Sequence, residues 1–260
     1  LTDFKSMSWA PYFHPSGQYV IFTSNKLGFS NFELYLVDAA TREAMWAEEF
    51  PDAAPGNAPP GNLAGGHLTR IDHIAQSMQY EEFLSWLLYY NALLDVTKTP
   101  QLELTDPMGL VYSQAVESPD RSVRFTLNGS LAAQSLTSRF IRNYLGAGVQ
   151  HIAFAASDVF AAAEAARANG LPILEISRNY YDDVEARFGL DGAFVDKMAA
   201  LGILYDRDGE AEYFQFYSRA FGKRVFFEVV ERRDYHAYGA ANAVIRLASQ
   251  ARFRDDGAGL

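Results

Sequence analysis

Two short stretches, IDHIA (Ile71–Ala75) and VQHIA (Val149–Ala153), place one histidine each in an apolar strand, 78 residues apart. Each opens the same succession of elements. In the first copy LTRIDHIAQSM reads as a strand and YEEFLSWLLYYNALL as an amphipathic helix with Phe83, Leu87, Tyr90 and Leu94 on one stripe. GLVYSQAV and RSVRFTLN follow as strands. In the second copy GAGVQHIAFAAS precedes DVFAAAEAARANG, a helix with Ser157 or Asp158 as N-cap and Gly170 as its stop. ILYDR, AEYFQFYS and RVFFEVVERR are its later strands. The second copy alone holds YYDDVEARFGL and GAFVDKMAALG, both helical, with Asp182 and Asp183 expected in a first helical turn, where carboxylates offset the dipole. From His73 to Thr126 is 53 residues and from His151 to Glu228 is 77; the surplus of 24 matches the extra helical pair. Thr126 and Glu228 are therefore expected at equivalent positions.

Strand alternation puts His73 on a face with Ile71 and Ala75, His151 with Val149 and Ala153, and Glu228 with Phe226 and Val230. A single buried histidine is usually a satisfied core residue. A buried carboxylate is costlier, because an unpaired charge in a low-dielectric core is heavily penalised. Three such groups at repeat-related positions make coordination of a divalent cation the cheaper explanation. Two imidazoles and a carboxylate leave metal positions open for substrate or oxygen. The ligand types alone leave Fe(II), Mn(II), Co(II) and Mg(II) open.

From Leu68 to about Arg252 the stretches LTRIDHIA, GLVYSQAV, FTLN, GAGVQHIAF, NYYDDVEARFG, ILYDRDGEAEYFQFY, RVFFEVVERR and YGAAN resemble, in order, the C-terminal half of 4-hydroxyphenylpyruvate dioxygenases. The resemblance implies an α+β fold, the vicinal-oxygen-chelate arrangement of paired βαβββ modules enclosing a metal site, with a C-terminal helix as a gate. It implies Fe(II) held by His73, His151 and Glu228, and a small oxo or hydroxy acid as ligand. Gln215 and Asn242 match the family's substrate-orienting residues. Other substrate-side positions depart from the family: Tyr112 and Ser118 stand where a serine and an asparagine are expected, Tyr217 and Ala243 replace phenylalanine-type aromatics, and Ser138 replaces a glutamine. LTRIDHIAQ, ESPDRSVRF, NYYDD, ILYDRDGE, VERRDY and YGAANA further resemble the dioxygenase-like domain of bacterial two-domain 3-dehydroshikimate dehydratases. That likeness implies an association with aromatic and quinate catabolism. The dehydration itself belongs to a TIM barrel with no counterpart in this sequence. A non-catalytic, metal-stabilised regulatory or oligomerisation module is the alternative reading.

PDAAPGNAPPGNLAGG (Pro51–Gly66) holds too much Pro and Gly for helix or sheet. It marks a linker over 47–66, between a strand-rich piece, 1–46, and the dioxygenase-like domain, 67–254, with 255–260 as a tail. Within the first piece QYVIFTSN and NFELYLVDA read as strands. SWAPYFHPSGQYVIFTSNKLGFSNFELYLVD resembles one TolB-type propeller repeat; since one blade cannot bury its own faces, a β-hairpin appendage is expected. A net charge of −10 without a basic cluster argues against nucleic acid and anionic membranes as partners. The absence of cysteine removes disulfides, thiolate metal sites and a cysteine nucleophile. No apolar run approaches the roughly 20 residues of a membrane span, and no signal peptide is visible. A cytoplasmic address is expected, a homo-oligomer is allowed, and His14, His67 and His236 are expected in solvent.

Overall fold

A computed structural model describes the backbone of three strands before residue 39, and residues 67–252 apart from Lys223. The expected linker, the tail 255–260 and His14 lie outside the described residues. The chain divides into two compact units, residues 1–62 and 63–260. In the first, β1 (Ser8–Phe13), β2 (Tyr19–Ser24) and β3 (Glu33–Asp38) form an antiparallel meander. The hairpin read from the sequence is β2–β3, and β1 adds a strand to it.

The second unit opens with β4 (Leu68–Gln79), α1 (Phe83–Leu93), β5 (Thr97–Lys98), β6 (Leu102–Asp106), β7 (Gly109–Glu117) and β8 (Arg124–Ser130). After α2 (Leu136–Tyr144) the plan repeats as β9 (Gly148–Ala156), α3 (Val159–Ala168), α4 (Arg178–Phe188), α5 (Gly192–Leu201), β10 (Leu204–Asp208), β11 (Ala211–Tyr217) and β12 (Phe226–Arg233). The helix α6 (Ala240–Arg252) ends the described residues. The sheet runs β10-β11-β12-β9-β4-β8-β7, with β5 and β6 both on β7. Each module is thus βαβββ, and the modules join through β4 and β9 at the sheet centre. The strand β6, LELTD, was not read from the sequence, nor was α2.

Helices pack on the outer face, where apolar residues alternate with those facing inward. Val159, Phe160 and Ala163 of α3 and Val195 and Met198 of α5 meet Phe214, Phe216 and Val229 of the sheet. Asp158 caps α3 by accepting the Ala161 N–H at 3.0 Å. Under the first module, α1 buries Phe83 and Leu87 against Met78, Val116 and Leu127. The expected four-residue stripe is only half realised. Tyr90 is half-buried, Leu94 is exposed, and Leu84 and Leu88 on the other side are 75% and 70% exposed. This helix is apolar all round, so periodicity could not tell which face is covered. The acidic pair is also placed differently: α4 begins at Arg178, which puts Asp182 in mid-helix, paired with Arg178 at 2.9 Å.

The end of α2 stores backbone strain. Leu145 adopts the left-handed conformation (φ 68°) and is 90% exposed, so no packing offsets it. A left-handed L-residue costs about 1–2 kcal/mol, and glycine gives back about 0.5–1 in unfolded-state entropy. Leu145→Gly is expected to stabilise the fold by about 0.5–1 kcal/mol in urea denaturation; a lower midpoint would show the position to be unstrained.

Candidate metal centre

The two histidines meet because β4 and β9 pair reciprocally, with His73 opposite Ala153 and Ala75 opposite His151. The flanking strands repeat the symmetry. Ala75 stands opposite Thr126 on β8, and Ala153 opposite Glu228 on β12. Each partner faces the residue two beyond its histidine, so Thr126 and Glu228 are equivalent, as the spacing required. Each histidine also follows a β-bulge, since the register slips by one at Asp72 on β4 and at Gln150 on β9. An unopposed residue re-aims the side chains around it. Simple alternation therefore fails at this point: Ile71 stands opposite Phe154 and is exposed, rather than sharing the face of His73.

Nε2 of His73 and Nε2 of His151 each lie 3.3 Å from one oxygen, Oε2 of Glu228. The three ligating atoms are within 4.8 Å of one another, and all three residues are buried. His73 Nδ1 is held by Asp72 Oδ2 at 2.9 Å, which leaves Nε2 directed at the cluster. His151 has Gln150 where His73 has Asp72. Its Nδ1 has no hydrogen-bond partner among the described residues, and its ring stacks on Phe226 at 4.6 Å. The Tyr213 hydroxyl donates to the other oxygen of Glu228 at 3.3 Å.

Burial works against charge on every member. It would lower the pKa of His73, but Glu228 and Asp72 outweigh it and hold that imidazole above 6.5. Burial takes His151 down to about 4. It would raise Glu228, yet the two imidazoles keep that carboxyl well below the usual carboxylate range. In the metal-free cluster Glu228 and Asp72 thus favour a proton on His73. Two nitrogen donors and one oxygen donor directed at one point, without sulfur, also fit a divalent cation taking that proton's place.

A cavity of about 60 Å³ opens on the cluster. Ser113, Thr126 and Asn128 line it from the first module, Tyr217 from the second, and Ala243 and Arg246 from α6. This corrects the expectation for β7. Tyr112 faces away and packs on Tyr80 at 4.7 Å, while Ser118 bonds to Asp120 in the following turn. Ser113 and Asn128, which pair across β7 and β8, line this wall instead. Ser138 lies in the first turn of α2, bonded to Ser135, away from the cavity.

Gln215 and Asn242 are buried but do not line the cavity. Gln215 stands two pairs along from Tyr217 on the same face, opposite Val230, and accepts the Tyr217 hydroxyl at 3.2 Å. Asn242 accepts the Tyr180 hydroxyl at 2.9 Å, so α4 holds the start of α6. His236 is exposed and His67 half-buried, neither of them in the cluster. Asp72 and Arg246 were missed from sequence, although an acidic residue directly before a candidate ligand was a signal for the first.

Paired βαβββ modules around a two-histidine, one-carboxylate cluster define a vicinal-oxygen-chelate domain. Comparison with known proteins narrows the class. The chain is 44% identical over 195 residues to a 3-dehydroshikimate dehydratase of Pseudomonas aeruginosa, covering 74% of this chain and 31% of that protein. It is 25% identical over 211 residues to the 4-hydroxyphenylpyruvate dioxygenase of the same organism, covering 80% and 58%. A solved xylose isomerase-like TIM barrel/4-hydroxyphenylpyruvate dioxygenase fusion protein superposes with a TM-score of 0.61 at 40% identity, covering 72% of this chain and 30% of that one. No protein-family model matches. The chain is a homologue of the 3-dehydroshikimate dehydratases and, more distantly, of the 4-hydroxyphenylpyruvate dioxygenases, and its second unit has the dioxygenase fold. It spans about a third of the length of the dehydratases it matches.

The histidine asymmetry sets a pH dependence. His73, raised above its unfolded value of 6.5, adds stability that is complete below 6.5 and lost as pH rises through its folded pKa. His151, lowered, changes stability only below 6.5, and Glu228 and Asp72 are already ionised there. The thermal midpoint of metal-free protein in EDTA is therefore expected to fall as pH rises above 6.5. That of Co(II)-loaded protein should hold or rise over the same range. Parallel curves would show that no proton on His73 stands in for the cation.

Proposed function

We propose that His73, His151 and Glu228 hold a divalent cation, Fe(II) in preference to Mn(II), Co(II) or Mg(II), and that the cavity binds a small oxo or hydroxy acid on it. The supporting observation is the convergence of two Nε2 atoms on a single buried carboxylate oxygen. Bound Fe(II) would supply Lewis acidity and one-electron chemistry toward oxygen, a dioxygenase-like oxidation. The chain's own residues do the rest. Asp72 fixes the His73 tautomer, and Ser113 and Asn128 offer neutral hydrogen-bond partners to the acid. Gln215 sets the Tyr217 hydroxyl, while Asn242 anchors α6, which covers the mouth. Homology to dehydroshikimate dehydratases supports a place in aromatic or quinate catabolism. It also supports a cytoplasmic address, with no helix among the described residues long and apolar enough to cross a membrane.

One observation favours a second reading. The match covers 31% of the P. aeruginosa dehydratase, so the activity named for that protein belongs to a chain about three times as long. In that setting the same site would serve as a metal-stabilised, non-catalytic module.

Metal analysis and oxygen uptake separate these readings. Purified protein is expected to carry about one cation per chain after reconstitution. His151→Ala should lose metal affinity by more than the roughly 10–100-fold typical of removing a supporting partner. Unchanged metal content in His151→Ala would eliminate the cluster as the site. With Fe(II) loaded, oxygen consumption is expected with at least one of a panel of 2-oxo acids; full loading with no uptake selects the non-catalytic module.

A further inference from the structure

One charge on the cavity wall has no role in holding the cation. Arg246, on α6, is 8% exposed and lines the cavity together with His151, Glu228 and Tyr217. Its Nη1 donates to Gln250 Oε1 at 2.8 Å, and its guanidinium carbon lies 5.3 Å from the Phe226 ring centroid and 5.6 Å from that of Tyr217. Phe226 is the ring on which His151 stacks. Arg124 and Arg232, also largely buried, both pair with Asp72. No carboxylate pairs with Arg246 among the described residues. Cation–π contacts and one amide recover only part of the cost of burying a guanidinium. Ala240 and Ala243, three residues apart on the same helical face, are the other cavity-lining residues of α6, and their small side chains leave room beside the guanidinium.

Charge counting points to the occupant. With a divalent cation in place, the cavity wall holds three positive charges, two on the cation and one on Arg246. Glu228 supplies the single negative charge. The remaining polar lining, Ser113, Thr126, Asn128, Tyr217 and Tyr238, is neutral. The excess of two positive charges matches a dianion. We infer that Arg246 recognises a second carboxylate, so that the acid bound in this cavity is a small dicarboxylic oxo or hydroxy acid, chelating the cation at one end and forked by the guanidinium at the other. The inference rests on the metal reading above and narrows it to a substrate class.

The test uses the full chain loaded with redox-inert Co(II) and follows its visible absorption during titration. Two matched pairs of probes differ only in a carboxylate against a methyl group: malate with 2-hydroxybutyrate, and 2-oxoglutarate with 2-oxopentanoate. In at least one pair the dianion is expected to bind at least about tenfold more tightly, the least that a charge-assisted pair in a dry site confers. Arg246→Met should bring that ratio to about one, and Arg246→Lys should keep part of it. The ligand-free melting temperature of Arg246→Met should stay level or rise, since an unpaired buried charge has gone. Equal affinities within both pairs in the unmodified protein, or an undiminished preference in Arg246→Met, would overturn the assignment. So would a drop in that melting temperature, which marks an arginine kept for structure. A chain that takes up no Co(II) overturns the metal reading and this one together, whereas uptake without discrimination overturns this one alone.

Discussion

The carboxylate of Asp72 is the contact on which the site is built. It is fully buried at the β4 bulge and meets His73 Nδ1 at 2.9 Å, Arg124 Nη1 at 3.0 Å, and Arg232 Nε and Nη2 at 2.9 Å each. Burial would raise its pKa, but the bonds and charges of His73 and Arg232 keep it ionised. Arg124 opens β8 and Arg232 lies near the end of β12, so one side chain ties the central strand of the first module to strands of both modules. Arg232 also donates to the Tyr235 carbonyl in the loop that leads to α6. The aim of His73 and the path of the chain to α6 therefore share an anchor. Removing one partner from such a buried ionic set typically costs about 3–5 kcal/mol, because the others are left uncompensated.

Duplication explains where the cluster lies, and divergence explains what it is. Reciprocal pairing of β4 and β9 brings two histidines to the sheet centre without any further device. The copies then differ position by position: Asp72 against Gln150 behind the histidine, and Thr126 against Glu228 in front of it. Two carboxylates in front would cancel the charge of a divalent cation and leave only that of Arg246, and none would leave such a cation with imidazole donors alone. One carboxylate leaves a net charge that attracts an anion. The helix α4, which only the second copy has, supplies the Tyr180 hydroxyl that holds Asn242.

Much of this was legible in the sequence, and what was not has definite physical causes. The strands carrying His73, His151 and Glu228 were readable because apolar runs with a lone polar residue are uncommon and recurred at a matched spacing. The bulges were not, since an unopposed residue leaves no compositional mark, and they moved Ile71 to the outer face. The family likeness pointed to Tyr112 on the substrate side, whereas the residue that lines the cavity is its neighbour Ser113. LELTD is short and half polar, as an outer strand can be, and does not stand out as β6. Arg246 is hidden for a different reason. Seen as sequence, a basic residue in the last helix looks like solvent-facing polarity, and only the sheet beneath shows that its face is covered.

The mouth of the cavity and the metal ligands are not independent parts. Helix α6 packs on β10 at one end of the sheet and on β6 near the other, so it closes the curved sheet into a half-barrel. It can start where it does because residue 239 is glycine. That residue has φ 57°, and a Cβ there would meet the Tyr213 ring at 2.7 Å. Tyr213 is the residue whose hydroxyl touches Glu228, and its ring carries the guanidinium of Arg232 at 4.7 Å. A side chain at 239 would therefore push on the support of Glu228 and on the Asp72 cluster at once, while lifting the helix that bears Arg246. Glu228 and the helix that bears Arg246 are thus set by one close contact, and any displacement of α6 must alter both.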